Sequence, residues 1–161
     1  MSNIWHDISP KRITPEDFIC VIEITKGSKK KYELDKETGF IMEHTAIDVA
    51  DPVAVADWWV KNLGFEITMQ KDDATHTTFI VDKTGRIAVE LYRAPDGTTP
   101  PDYHAMRPLQ LHFAFLSEDV EGDIARLTAA GAKLIVHEKK PGFDGAMLKD
   151  PYGLSIQFVK R

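Results

Sequence analysis

Residues 43–64 read EHTAIDVADPVAVADWWVKNLG, and residues 111–131 read LHFAFLSEDVEGDIARLTAAG. The second stretch echoes the first. At an offset of 68 residues His44 meets His112, Ala46 meets Ala114, Asp51 meets Asp119, Asp82 meets Asp150 and Gly85 meets Gly153. After a one-residue slip, at 67, Gly64 meets Gly131 and Glu90 meets Gln157. A period of this length, present twice, points to a duplicated supersecondary unit rather than a solenoid, which stacks three or more short repeats. His44, Glu90, His112 and Gln157 therefore form two pairs of equivalent positions. Halves packed about a pseudo-two-fold axis would bring all four to one point.

Each copy parses as strand, helix, then three strands. In the first, 43–49 alternates as a strand does, Asp51 is the N-cap, Pro52 takes the first helical position, and the helix 53–63 closes at Gly64. Strands are expected at 65–69, 76–81 and 86–93, with a turn at 83–85. In the second copy the first strand spans 109–116, Asp119 caps a helix running to Ala130, and Gly131 closes it. Strands then follow at 133–137, 145–149 and 154–159. The connection 95–108 is rich in Pro, Gly and Thr.

Strand alternation sorts the faces. His44 shares a side with Ala46 and Asp48, and Glu90 with Ala88 and Tyr92, opposite Ile87, Val89 and Leu91. His112 lies with Gln110 and Ala114, opposite Leu111, Phe113 and Phe115; Gln157 lies with Ser155 and Val159, opposite Leu154, Ile156 and Phe158. Each strand thus has a greasy face for a covering helix and a face of small and polar groups. Ala46, Ala88 and Ala114 leave room beside the four candidates, as a concave site requires. Two imidazoles, a carboxylate and an amide oxygen suit one divalent transition metal (Zn, Ni, Co, Mn or Fe, not distinguishable) better than Ca or Mg. Taken singly, each side chain reads instead as a group hydrogen-bonded inside a polar barrel. The equivalence of their positions is what favours the metal.

The chain has 161 residues, 43% hydrophobic and 28% charged, enough to bury a core. A net charge of -5 argues against nucleic acid. The basic run 29–31 sits beside Glu33 and Asp35 and reads as a solvated strand face or turn. Cys20 is alone, so no intramolecular disulfide forms and a reducing compartment fits. Residues 1–12 hold no apolar signal core, and no run nears the roughly 18 apolar residues of a membrane span. The expected location is cytoplasmic, with no membrane partner. Of Trp58 and Trp59, mid-helix, one should pack on the sheet and leave the other for a subunit interface. Residues 137–145 (HEKKPGFDG) read as a loop able to close over a ligand, and His76 and His104 as surface groups. Arg93 and Arg107 are candidates for holding an anionic substrate tail. P-loop, GxSxG and CxxC motifs are absent from the sequence.

Ahead of the repeat, 17–24 (DFICVIEI) and 31–34 (KYEL) flank the turn Lys26-Gly27-Ser28 and predict a β-hairpin. Through VIEITKGSKKKYELDKETG, residues 5–39 resemble the start of the family I soluble inorganic pyrophosphatases. That resemblance assigns Lys31 and Glu33 to positions of the family's phosphate and metal site. The family's acidic cluster of the DGDPLDVL type has no counterpart in this chain. Pyrophosphate hydrolysis needs several metals, so pyrophosphatase activity is not expected.

Through EHTAIDVADP, NLGF, AVELY, LHFAF and KDPYGLSIQF, residues 42–161 resemble the vicinal oxygen chelate superfamily, which includes glyoxalase I. The resemblance implies an α+β fold of paired βαβββ modules (42–94 and 109–161) forming an open eight-stranded cup of the glyoxalase/bleomycin-resistance/dioxygenase kind. The N-terminal hairpin segment, 1–41, would precede it. The family's metal positions fall on His44, Glu90, His112 and Gln157. The implied activity is that of a metal-dependent lyase or isomerase of glyoxalase type, acting on a small carbonyl or thiol-adduct substrate. Proton transfer next to the carbonyl would run through a metal-stabilised enediolate, with Glu90 as the catalytic proton carrier. Bacterial glyoxalase I-like sequences carry glutamate where this chain has Gln157. An amide oxygen can bind a metal but cannot act as a base. Epimerase-like members place the amide and the carboxylate the other way round, whereas extradiol dioxygenase-like members need the final-strand glutamate. The rival from another class is a non-catalytic small-molecule binding protein of the bleomycin-resistance kind. Members often pair, sometimes completing the cup across the interface, so the resemblance also implies a homodimer.

Overall fold

A computed structural model describes residues 42–86 and 88–161. The expected N-terminal hairpin, with Cys20, Lys31 and Glu33, and also Ile87 lie outside the described residues. The first module runs β1 (His44–Asp48), α1 (Pro52–Leu63), β2 (Glu66–Gln70), β3 (Thr78–Val81) and β4 (Ala88–Tyr92). The second runs β5 (Phe113–Leu116), α2 (Val120–Ala129), β6 (Lys133–Lys140), β7 (Phe143–Lys149) and β8 (Ser155–Lys160). Each module forms a four-stranded sheet, in the orders β1-β4-β3-β2 and β5-β8-β7-β6. β1 pairs β4 in parallel and β5 pairs β8 in parallel, while the remaining pairs are antiparallel. These eight strands and two helices make the expected open cup of paired βαβββ modules. None of the described helices is long and apolar enough to cross a membrane.

The caps form as the sequence dictates. The Asp51 carboxylate accepts the Ala54 N–H at 3.0 Å, Pro52 opens α1, and Gly64 ends it at φ 75°. In α2 the Asp119 carboxylate accepts the Gly122 N–H at 3.0 Å, and Gly131 follows the last turn at φ 96°. An N-cap side chain satisfies one of the helix's orphan donors, and glycine takes the left-handed terminus without a Cβ penalty.

The greasy strand faces meet the helices in one core spanning both modules. Trp59 of α1 is fully buried, its ring 4.9 Å from Phe113 of β5 and 5.2 Å from Phe65. Its indole N–H donates to the Asp150 carboxylate at 2.9 Å in the turn between β7 and β8. Trp58, half-buried, also packs against the core and donates to the Ala130 carbonyl at the end of α2. Adjacent helical residues point about 100° apart, so both tryptophans can serve an interface only if it curves round the helix, as this one does.

Two expectations fail locally. β5 begins at Phe113, not at residue 109, because Gln110 folds back and its side chain accepts the Arg107 N–H at 3.0 Å. The Gln110 N–H donates to the Arg107 carbonyl, closing a turn that leaves Leu109 exposed. Residues 137–145 are not a loop: they form the end of the β6–β7 hairpin, with Lys139 opposite Asp144 and Lys140 opposite Phe143. Gly142, at φ 77°, makes the tight turn. A charged edge strand and a polar loop have similar compositions, and the pairing partner decides between them.

Candidate metal centre

The parity argument holds on the first sheet. Ile47 and Val49 face the core and are buried, as are Val89 and Leu91, while His44 and Ala46 are exposed and Glu90 half-buried. The parallel register sets Ala46 opposite Glu90, and the antiparallel one sets Phe79 opposite Glu90. His44 reaches across so that its Nε2 lies 3.1 Å from Glu90 Oε2, and Phe79 stands edge-on to its ring at 5.3 Å. The Nδ1 of His44 contacts the Glu43 carboxylate. Glu43 and Phe79 were missed by the sequence reading; Phe79 meets Glu90 only through the β3–β4 register, and the repeat conceals Glu43 because residue 111 is leucine.

On the second sheet the register sets Ala114 and Met147 opposite Gln157. Gln157 is half-buried and Ala114 exposed, which is the arrangement of Glu90 and Ala46 repeated. His112 stands just before β5, exposed, with Nδ1 3.2 Å from the Pro108 carbonyl oxygen. A carbonyl only accepts, so this bond requires a proton on Nδ1 and leaves Nε2 with its lone pair in the neutral ring.

The structure thus brings His44 to Glu90, and sets His112 just before β5 and Gln157 on the adjoining β8 of the other sheet. Among the described residues, no three His, Cys, Asp or Glu side chains converge on a metal-sized point, so one chain does not join His112 to the His44–Glu90 pair. The donor set still fits a divalent transition metal by its chemistry. Both imidazoles have Nδ1 held by an oxygen acceptor, Glu43 or Pro108, so Nε2 is the nitrogen offered. An oxygen partner on the far ring nitrogen is the usual support of a metal-binding histidine.

The arginines lie at the margins. Arg93 donates from Nε and Nη2 to the Ala50 carbonyl, at 3.3 and 2.9 Å. Arg107 is exposed in the connection. A cleft of about 180 Å³ opens beside His44, lined by Met42, Glu43, Thr45, Arg86 and Ala88. A larger one, about 270 Å³, lies away from the four candidates between the start of α1, the connection at 100–104 and Tyr152.

The glyoxalase-like domain family matches residues 44–159, and the chain belongs to that family. Among solved structures it is similar to a glyoxalase family protein from Bacillus cereus, with TM-score 0.64 and 17% identity over 79% of this chain and 97% of that one. It is likewise similar to a glyoxalase/bleomycin resistance protein from Streptomyces sp. CB03234, with TM-score 0.52 and 22% identity over 72% and 96%. TnmS3, an antibiotic binding protein from the same organism, gives TM-score 0.54 and 21% identity over 74% and 97%. At these identities the likeness is one of fold.

A short N-terminal stretch matches soluble inorganic pyrophosphatases: number 2 of Chlamydomonas reinhardtii at 58% identity over 38 residues, and number 1 of Arabidopsis thaliana at 60% over 37. These cover 24% and 23% of this chain, which spans only a fifth or less of either relative, 20% and 18%.

Proposed function

We propose that the protein is a homodimeric, metal-dependent lyase or isomerase of glyoxalase type, its cup completed by a second copy of the chain. The observation that carries this reading is the 3.1 Å approach of His44 to Glu90 on one sheet, with His112 and Gln157 at the repeat-equivalent positions of the other. Each chain would contribute His44 and Glu90 to one cup and His112 and Gln157 to the other, so that both cups of the dimer are shared between the two copies. Among the described residues β1 pairs only with β4 and β5 only with β8, so both strands offer an edge at which such a contact can form. His44, Glu90, His112 and Gln157 would hold the metal, which would supply Lewis-acid polarisation of the substrate's carbonyl oxygen. Glu90 takes the proton from the adjacent carbon and returns it to its neighbour, while His44 and His112 hold position through their Nδ1 partners. Gln157 lends an amide oxygen but moves no proton. The substrate class is a small carbonyl or a thiol adduct.

Residues 42–161 carry this function on our reading, and residues 1–41 contribute no pyrophosphatase activity. A second reading, sequestration of a small molecule in a metal-free cup, draws on the fold shared with TnmS3 and on the 3.1 Å approach of His44 Nε2 to Glu90, which a proton on Nε2 would make a hydrogen bond without a cation. Elemental analysis decides between them. One equivalent of transition metal per chain, lost in His112→Ala, supports the lyase; a metal-free protein that binds apolar ligands supports sequestration. Turnover of methylglyoxal with glutathione, in added nickel or zinc, then tests the substrate class.

A further inference from the structure

Lys149 is a charged residue that the sequence reading passed over, and it is only 8% exposed. In the β7–β8 register it stands opposite Ser155, as Met147 stands opposite Gln157, so alternation places it on the same face of the sheet as Gln157. Its ammonium donates to three backbone carbonyls of the connection between the modules: Tyr103 at 2.6 Å, His104 at 2.6 Å and Met106 at 2.7 Å. An ammonium has three donors and no acceptor, so every proton of Lys149 is committed. It is left neither as a base nor as a ligand for substrate.

What it does instead is hold the connection in place. The same segment is tied to the first sheet by the Tyr103 hydroxyl, which donates to the Asp48 carbonyl at 2.9 Å. Two residues beyond Met106 lies Pro108, whose carbonyl receives Nδ1 of His112. We infer that Lys149 is a positioning residue for the metal centre, fixing the tautomer of His112 by pinning the segment that carries the Pro108 carbonyl. The inference rests on the metal reading of His112 for its purpose, but not for its test. Without the pin, the Pro108 carbonyl moves off Nδ1 and the ring divides between its two neutral tautomers. Part of the population then carries a proton on Nε2, the nitrogen meant for the cation.

The test is nitrogen NMR of the imidazole rings in the metal-free full chain, at an alkaline pH where they are neutral. The wild type should show His112 with the proton on Nδ1. Lys149→Met should show a mixture, with Co(II) affinity lowered about 10–100-fold, the usual effect of losing a histidine's supporting partner. Ile80→Ala, a buried change on β3 two strands away from β1, should lower stability and leave the His112 signal as in wild type. If Lys149→Met does not fold, Lys149→Gln, which keeps two donors, reads the same signal and should lie between. A His112 signal unchanged in the Lys149 variants, or altered equally by Ile80→Ala, overturns the inference. A wild type that binds no cobalt overturns the metal reading alone, and the tautomer comparison still decides what Lys149 does.

Discussion

Glu90 and Gln157 sit at equivalent positions, yet only one of them can carry a proton, and residue-level predictions follow from that asymmetry. On the proposed mechanism Glu90→Gln abolishes turnover, a loss of at least about 100-fold for removing a general base, while metal content survives through the amide oxygen. Gln157→Glu restores a second carboxylate and should raise turnover. Parallel measurement of metal content and rate checks both, and equal rates in wild type and Glu90→Gln would remove Glu90 from its role.

A different carboxylate sets a pH dependence. Burial pushes the Asp150 carboxyl above its usual value of 3.8, against the hydrogen bonds from Trp59, Tyr152 and Leu154 that favour the charged form. A carboxyl raised in the folded state binds its proton more tightly there than in the unfolded chain. Its contribution to stability therefore grows as pH falls from the raised value toward 3.8, and is lost as pH rises through that value. Urea unfolding of wild type and Asp150→Asn over an acid series should show the wild type gaining on the variant as pH drops; the opposite slope would contradict this. Offset arithmetic alone singled out the four candidates. Lys149 escaped because its importance lies in three backbone carbonyls, and main-chain acceptors leave no trace in side-chain identity.

Among the elements, those delimited by their own residues were legible. α1 and α2 announce themselves through Asp51, Pro52, Gly64 and Asp119, and the structure places their ends within a residue or two of expectation. Asp51→Ala should cost about 1 kcal/mol of stability, as loss of an N-cap does, measured by denaturant unfolding. Where a partner settles the matter, the sequence was silent. β5 is short because Gln110 turns back on Arg107, and 137–145 is strand because β7 lies beside it. The turn at Gly153 shows both kinds of information at once. Its φ of 90° suits glycine, which the repeat with Gly85 at φ 66° suggested. Its neighbours were invisible: a Cβ there would lie 2.5 Å from the His104 nitrogen and 2.7 Å from the Tyr103 carbonyl carbon. Gly153→Ala should consequently cost more than the roughly 1–2 kcal/mol of a left-handed alanine, whereas Gly85→Ala, with open space around it, should stay near that range.

Across the whole molecule, the repeat predicted two modules but not how one chain joins them. The joint is Trp59 among Phe65, Phe113 and Phe115, with Trp58 and Arg126 bonded across to the opposite helix ends. Trp59→Ala should cost about 3–5 kcal/mol and uncouple the halves, visible as a broadened unfolding transition. On the side away from that core Leu116 is 89% exposed on the edge strand β5, an apolar side chain suited to an isologous contact. Leu116→Lys should shift the protein toward monomer in light scattering and reduce its metal content together. The sharpest measurement is metal content after subunit exchange between His44→Ala and His112→Ala, each of which should hold no metal alone. In a mixed dimer one cup loses both histidines and the other keeps both, so random exchange should restore about a quarter of the wild-type loading, as two-fold symmetry requires. A mixture as empty as its parents, beside a metal-loaded wild type, would contradict a cup shared between two copies of the chain.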